Sequence, residues 1–106
     1  LTIMYEMRLI TAIALAARRH QAELLRPFGI SSQQLHLIRL ARMRGSISLS
    51  AAAKELSCDR PTMTVVARNC VYQGWLARNG SAKDARSSLL SLTGEGEELL
   101  DRIEGA

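Results

Sequence analysis

Asp59-Arg60-Pro61 is a helix start written into the middle of the chain. An Asp side chain can accept from the free N–H groups of a first helical turn. Pro is tolerated there because those N–H groups have no partner inside the helix. The helix is predicted over Arg60–Gln73, with Gly74 ending it. An apolar pair, Trp75-Leu76, then leads to Arg78, and a polar tip follows from Asn79 to Asp84. Arg86 begins a return strand through Leu89, Leu90 and Leu92, and Leu92-Thr93 opens a new helix. A helix able to lie in a DNA groove, with a basic hairpin directly after it, predicts a winged helix-turn-helix. A major groove admits one α-helix, and its base edges carry the sequence information.

The rest of the chain is compatible with that frame. Its 106 residues supply the core of one domain. At 47% hydrophobic residues it is globular, and with only 4% aromatics but many Ala and Leu it favours helix over sheet. The longest apolar run, Leu9 to Ala17, is interrupted by Thr11, far short of the ~20 residues a membrane span needs. No secretory signal is recognisable. Two cysteines, Cys58 and Cys70, make no disulfide framework, so a reducing cytoplasm is the expected location. The chain opens with Leu1, so a natural N-terminus is expected to precede it.

Charge is unevenly placed. From Ser32 to Leu92, nine basic residues stand against Glu55, Asp59 and Asp84, a surplus of six. From Thr93 onward Arg102 stands against five acids, a deficit of four, and residues 1–31 carry a surplus of two. The positive charge is therefore concentrated around the candidate reading helix, as phosphate contact requires. A solvated basic surface with no specific partner would look the same in composition.

The first helix, predicted over Thr2–Leu25, is apolar on more than one side. Ile3, Met7, Ile10 and Ala14 form one track, and Leu9, Ile13 and Ala16 another. A helix apolar all round must be covered all round. A small domain covers one face, so a second subunit is expected on the other; a central core helix is the competing reading. Candidate dimer contacts are Met7, Ile10, Ala14 and Ala17, with Leu99, Leu100 and Ile103 from the last helix beside them. Arg26-Pro27-Phe28-Gly29 breaks the first helix. Ser31 with Gln34 forms a capping-box pattern for the second, whose apolar side is Leu35, Leu37, Ile38, Ala41 and Met43. Gly45 ends it, with Arg42 and Arg44 near the negative end of its dipole. Ser46-Ile47-Ser48 can form a very short strand. Ser50 is expected to cap a third helix, Ala51 to Leu56, and Ser57-Cys58 is the turn.

At 100° per residue, Met63, Val66, Ala67 and Cys70 share one sector of the fourth helix and are expected to pack inward. Pro61, Thr62, Val65, Arg68, Asn69 and Tyr72 fall on the opposite side, with Thr64 and Gln73 on the flanks. That outer set suits base-edge chemistry: Arg can read guanine, Asn can read adenine, and an apolar group can touch a thymine methyl. Tyr72 packing on the hairpin and Val65 as an ordinary exposed residue are the structural alternatives.

At these residues the chain resembles a family. Asp59-Arg60-Pro61-Thr62-Met63-Thr64, Gly74-Trp75-Leu76-Ala77-Arg78, Asp84-Ala85-Arg86 and Leu92-Thr93-Gly94-Glu95-Gly96 look like the multiple antibiotic resistance regulator (MarR) family, as does Ile30-Ser31-Ser32-Gln33-Gln34. The resemblance covers about Ile30 to Gly96, and its most specific part is Asp-x-Arg, five residues, then Leu-Thr-x-x-Gly. It implies a mostly α winged helix-turn-helix protein with a two-stranded β-hairpin wing and flanking dimerisation helices. The chain would form one domain over 1–106, with a dimerisation helix at 1–25 and the winged helix-turn-helix at 30–92. Residues 93–106 would begin a C-terminal dimerisation helix that is cut short at Ala106. The implied function is a homodimeric repressor on a pseudo-palindromic operator, its affinity adjusted by a small molecule or an oxidant. The implied DNA contacts are Arg60, Pro61, Thr62, Thr64, Val65, Arg68, Asn69 and Tyr72 on the recognition helix, with Lys83 and Arg86 on the wing. Arg86 would reach the minor groove, supported by Asp84 and Arg78. The sequence departs from the family pattern at Val65 and Ala85, where Arg is frequent, and at Arg68-Asn69, where an acid followed by Arg is frequent. Its operator is therefore expected to differ from the common family site.

Other chemistry is thin. His20 and His36 lack partners at metal-ligand spacing, and no nucleophile triad, paired carboxylates or phosphate loop is present, so neither a cofactor nor an enzymatic activity is expected. Cys58 precedes a helix N-terminus, a position that lowers thiol pKa, though a small turn residue is the simpler role; Cys70 reads as core. Two classes remain: a dimeric DNA-binding regulator with double-stranded DNA and a small-molecule effector as partners and no membrane contact, or a winged-helix protein-interaction module that has lost operator reading.

Overall fold

The computed structural model describes residues 2–80 and 88–105. The described elements run in the order α1 (Thr2–Leu25), a 3-10 turn (Arg26–Phe28), α2 (Ser32–Arg44), β1 (Ile47–Ser48), α3 (Leu49–Glu55), α4 (Arg60–Tyr72), β2 (Leu76–Asn79), β3 (Leu89–Leu92) and α5 (Gly94–Glu104). The backbone divides into two compact units, 1–32 and 33–106.

The first unit is α1 and the turn after it. Nine large apolar side chains of α1 stand in solvent, among them Ile3, Met7, Ile10 and Ile13. Pro27 sits in the first turn of the 3-10 segment, and Gly29 closes it in the left-handed region at φ 67°.

The second unit has its own core. Leu35, Leu37, Ile38 and Ala41 of α2 are buried, and so is Leu40. Met43, expected on that side, is instead exposed. From α4, Met63, Val66, Ala67 and Cys70 point inward as their spacing requires. Leu76 and Leu90 complete the core from the sheet.

That sheet has three strands, in the order β1-β3-β2, all antiparallel. The hairpin is therefore not alone: Ile47 pairs with Leu90 and Ser48 with Leu89 on the far side of β3. A third strand matters physically because an isolated two-stranded hairpin is marginal in water. On the other side Leu76 faces Leu92, Ala77 faces Ser91, Arg78 faces Leu90 and Asn79 faces Leu89. At the outer end Asn79 Nδ2 donates to Ser91 Oγ across 2.8 Å.

Two expectations need correction, and a third falls on undescribed residues. The cap of α3 is Ser48, not Ser50. Ser48 is extended at the end of β1 (φ −76°, ψ 156°), which puts its Oγ 3.1 Å from the Ala51 N–H, and the helix starts at Leu49. The described part of the return strand is Leu89–Leu92; its expected start at Arg86 lies outside the described residues. Finally, Leu99 and Leu100 are buried within the chain itself, so their surface is not available to a second subunit; Ile103 is half-buried.

The start of α5 explains the Leu92-Thr93-Gly94-Glu95-Gly96 run. The Thr93 hydroxyl accepts from the Gly96 N–H at 3.1 Å and donates to the Gly74 carbonyl, while the Thr93 N–H donates to the Trp75 carbonyl at 3.1 Å. Gly96 is buried so tightly that a Cβ there would lie 2.4 Å from the Trp75 carbonyl oxygen and 2.6 Å from Leu92 Cδ1. One threonine and one glycine thus seat α5 on the strand that follows α4.

Candidate nucleic-acid interface

The interface is built on α3, a tight turn and α4. Leu49, Ala52 and Ala53 bury the inner face of α3, and the small alanines let α4 approach closely. The turn is a Schellman closure: the Ser57 N–H donates to the Lys54 carbonyl (3.2 Å) and the Cys58 N–H to the Ala53 carbonyl (2.9 Å). Ser57 holds a left-handed φ of 51°, a conformation that a side chain makes costly. The backbone direction therefore reverses within a few residues, and Asp59 immediately starts α4.

Asp59 accepts from the Thr62 N–H at 2.8 Å and from the Thr62 hydroxyl at 2.9 Å. The backbone hydrogen bond from Thr62, and then the side-chain one, hold its carboxyl below the ordinary range. The carboxylate also neutralises part of the positive end of the helix dipole. At the other end, Gly74 (φ 86°) makes a second Schellman closure: its N–H donates to Val71 and the Trp75 N–H to Cys70, each at 3.0 Å. Glu95 occupies the space beside Gly74, with a carboxylate oxygen 2.6 Å from where a Cβ would stand. The length and end points of α4 are thus set by its own sequence.

The outer face of α4 carries Pro61, Val65, Arg68, Asn69 and Tyr72 in solvent, with Thr62 and Thr64 half-buried at its edges. Tyr72 is 87% exposed, so it does not pack on the described residues of the hairpin, and Val65 is 51% exposed. Both threonine hydroxyls donate within the helix, Thr62 to Asp59 and Thr64 to the Arg60 carbonyl (2.8 Å), which leaves their lone pairs as acceptors for a donor from outside. Arg60 is tied back across the turn, its Nη1 donating to Ser50 Oγ at 2.7 Å. Ser50 is therefore a brace between the two helices, a role its residue type and position alone did not reveal.

Ion pairs redistribute the charge counted in the sequence. Arg42 pairs with Glu104 and lies 3.7 Å from Asp101, and Arg44 pairs with Glu55 at 2.9 Å. Two of the basic residues in the central surplus are thus answered by acids, while Arg68 and Arg78 are not paired among the described residues. Arg78 shares a cleft of about 130 Å³ with Thr64, Arg68 and Val71, beside α4. Lys83, Asp84 and Arg86, expected at the wing tip, lie outside the described residues.

The cysteines differ in setting. Burial pushes the Cys70 thiol up to about 12, while Cys58 is half-buried beside Gln33, His36, Leu56 and Met63. Among the described residues no group of His, Cys, Asp or Glu could hold a metal ion, and no helix is long and apolar enough to cross a membrane.

Comparison with known proteins agrees with this geometry. Residues 30–88 match the family model described as "MarR family". The HTH-type transcriptional regulator FarR of Neisseria gonorrhoeae is 30% identical over 80 residues, covering 76% of this chain and 55% of its own length, so the chain spans about half of that relative. A cysteine-to-serine mutant of MarR from E. coli, solved in complex with operator DNA, superposes with a TM-score of 0.88 at 26% identity. That match covers 98% of this chain and 74% of the other. CouR from Rhodococcus jostii RHA1, solved with p-coumaroyl-CoA, shares the fold at TM-score 0.81 and 18% identity, over 92% of this chain and 68% of its own.

Proposed function

The chain belongs to the MarR family, and from that membership we propose that it is a sequence-specific DNA-binding transcriptional regulator of the cytoplasm. It acts as a homodimeric repressor on a pseudo-palindromic operator, with its affinity adjusted by a small molecule or an oxidant. The observation that carries this reading is the outer face of α4. Arg68, Asn69, Val65 and Tyr72 stand exposed on a helix whose ends are both locked. That set offers an arginine for a base edge or a phosphate, with adenine and thymine-methyl contacts beside it, on one side of one helix. The operator complex of the E. coli MarR mutant supports the same use of the fold.

Dimerisation rests on α1. Met7, Ile10, Ala14 and Ala17 are exposed along it, and so many large apolar side chains in water favour a covering partner. A second copy would set two α4 helices about one DNA turn apart, ~34–36 Å, to enter successive major grooves. Arg86 and Lys83 would then reach DNA from the wing.

Selection of bound fragments from a random DNA pool, followed by a salt series on the recovered duplex, tests the reading. A pseudo-palindromic consensus and a steep loss of affinity with salt are expected. The exposure of Val65 and Tyr72 also suits a protein partner. No enriched sequence and no salt dependence would favour that interaction module over a DNA reader.

A further inference from the structure

We propose that the cleft between α4 and β2, lined by Thr64, Arg68, Val71 and Arg78, is an oxyanion clamp that holds one backbone phosphodiester of the operator. Arg68 is then an anchor and not a base reader; the inference rests on the DNA-binding reading above.

Two independent features of the chain build the cleft. On α4, Thr64, Arg68 and Val71 are spaced i, i+4 and i+7, so they form one stripe along the edge of the outer face. On β2, Arg78 is two residues from buried Leu76 and directly opposite buried Leu90, so its side chain leaves the sheet on the same face as theirs. The stripe and the strand residue meet around the cleft of about 130 Å³. Its polar chemistry is two guanidinium groups and one hydroxyl. The hydroxyl proton of Thr64 is already donated to the Arg60 carbonyl. Among the described residues no acid lines the cleft and neither guanidinium has an ion-pair partner, unlike Arg42 and Arg44.

Two like charges beside one cleft repel unless an anion lies between them. Phosphate matches the planar fork of arginine through paired, charge-assisted hydrogen bonds. The position selects the source. The cleft lies between the exposed face of α4 and the strand leading to the wing, where a groove-bound helix runs beside the sugar-phosphate backbone. A contact there orients the protein on the duplex and carries no base information.

The test uses the full chain, with the operator duplex recovered by selection and a random duplex of equal length. Binding is measured over a salt series for the parent, Arg68→Gln, Arg78→Gln and the double variant, with circular dichroism confirming that each is folded. If both arginines hold one phosphate, the double variant's log–log salt slope falls by about one phosphate's worth, ~0.9, and neither single variant loses more. Losses should be equal on both duplexes, and the base preference unchanged. A double loss near ~1.8 means two separate phosphates and overturns the shared clamp. A changed base preference for Arg68→Gln with an intact slope makes Arg68 a reader and also overturns it.

A second arm separates this failure from failure of the regulator reading. Inorganic phosphate is titrated while the arginine side-chain Nε–H resonances are followed by NMR. Arg68 and Arg78 shifting together, in a chain whose salt slopes behave as above, supports the clamp. The same shifts in a chain that does not bind DNA would remove DNA as the source and overturn the assignment to the operator backbone. Neither a shift nor a change in slope would overturn the site altogether.

Discussion

Gly94 and Gly96 stand two residues apart in the first turn of α5, and substitution by alanine should move stability in opposite directions. Helix propensity alone favours alanine at both, by about 0.8–1.0 kcal/mol. At Gly94 nothing lies within 4 Å of the new Cβ, so Gly94→Ala should be neutral or stabilising by up to that amount. At Gly96 the Cβ would stand 2.4 Å from the Trp75 carbonyl oxygen and 2.6 Å from Leu92 Cδ1. The leucine can rotate, but the carbonyl is backbone and already accepts from the Thr93 N–H at 3.1 Å. Relief therefore requires α5 to move off β2, straining the contact by about 1–3 kcal/mol and weakening a hydrogen bond of about 1 kcal/mol. The steric term exceeds the propensity term, leaving Gly96→Ala about 1–3 kcal/mol less stable. At ~4–8 °C per kcal/mol for a domain of this size, Tm should fall by roughly 5–20 °C. Thermal unfolding followed by far-ultraviolet circular dichroism, at one fixed protein concentration, measures both variants. A Gly96→Ala protein as stable as the parent, or a Gly94→Ala protein more damaged than Gly96→Ala, would refute the packing argument.

Three further outcomes follow from particular residues. Asp59→Ala should destabilise α4 at neutral pH, whereas Asp59→Asn, also a good cap, should do so less. Because the folded-state carboxyl is lowered, Asp59's charge-dependent contribution is full above the ordinary carboxylate range and is lost as pH falls through the lowered value. The gap between Asp59→Asn and the parent in urea unfolding should therefore close in acid. With a thiol reagent at neutral pH the native chain should expose one reacting cysteine, Cys58, while Cys70, pushed up to about 12 by burial, should react only after denaturant is added; two fast thiols in the native protein would contradict the core placement of Cys70. Ile10→Glu should lower the dimer population in sedimentation and operator affinity together, whereas a parent chain that stays monomeric at high concentration would assign α1 to another partner.

The parts of the structure legible in the sequence are those decided by neighbours along the chain. The inner face of α4 follows from helical spacing, and both ends of that helix follow from Asp59 and Gly74, whose chemistry acts over a few residues. Where two local solutions competed, the sequence was ambiguous. Ser48 and Ser50 are both capable caps, and the choice fell to Ser48 because pairing of β1 with β3 leaves it extended. That pairing joins residues more than forty positions apart, and nothing near Ile47 announces it. The same limit applies to Leu99 and Leu100: an apolar helical stripe shows that a face is covered, but not whether by its own chain or by another copy. The candidate interface divides along the same line. The outward set on α4 is a matter of period, so it could be written down in advance. The Arg60–Ser50 brace and the Arg68–Arg78 cleft each join two elements, and their meaning depends on who stands opposite whom. Arg68 read alone is a guanine reader by residue type. With Arg78 across the cleft and no acid between them among the described residues, the two arginines fit a single shared phosphate, and the number of phosphates released by the double substitution decides between these roles.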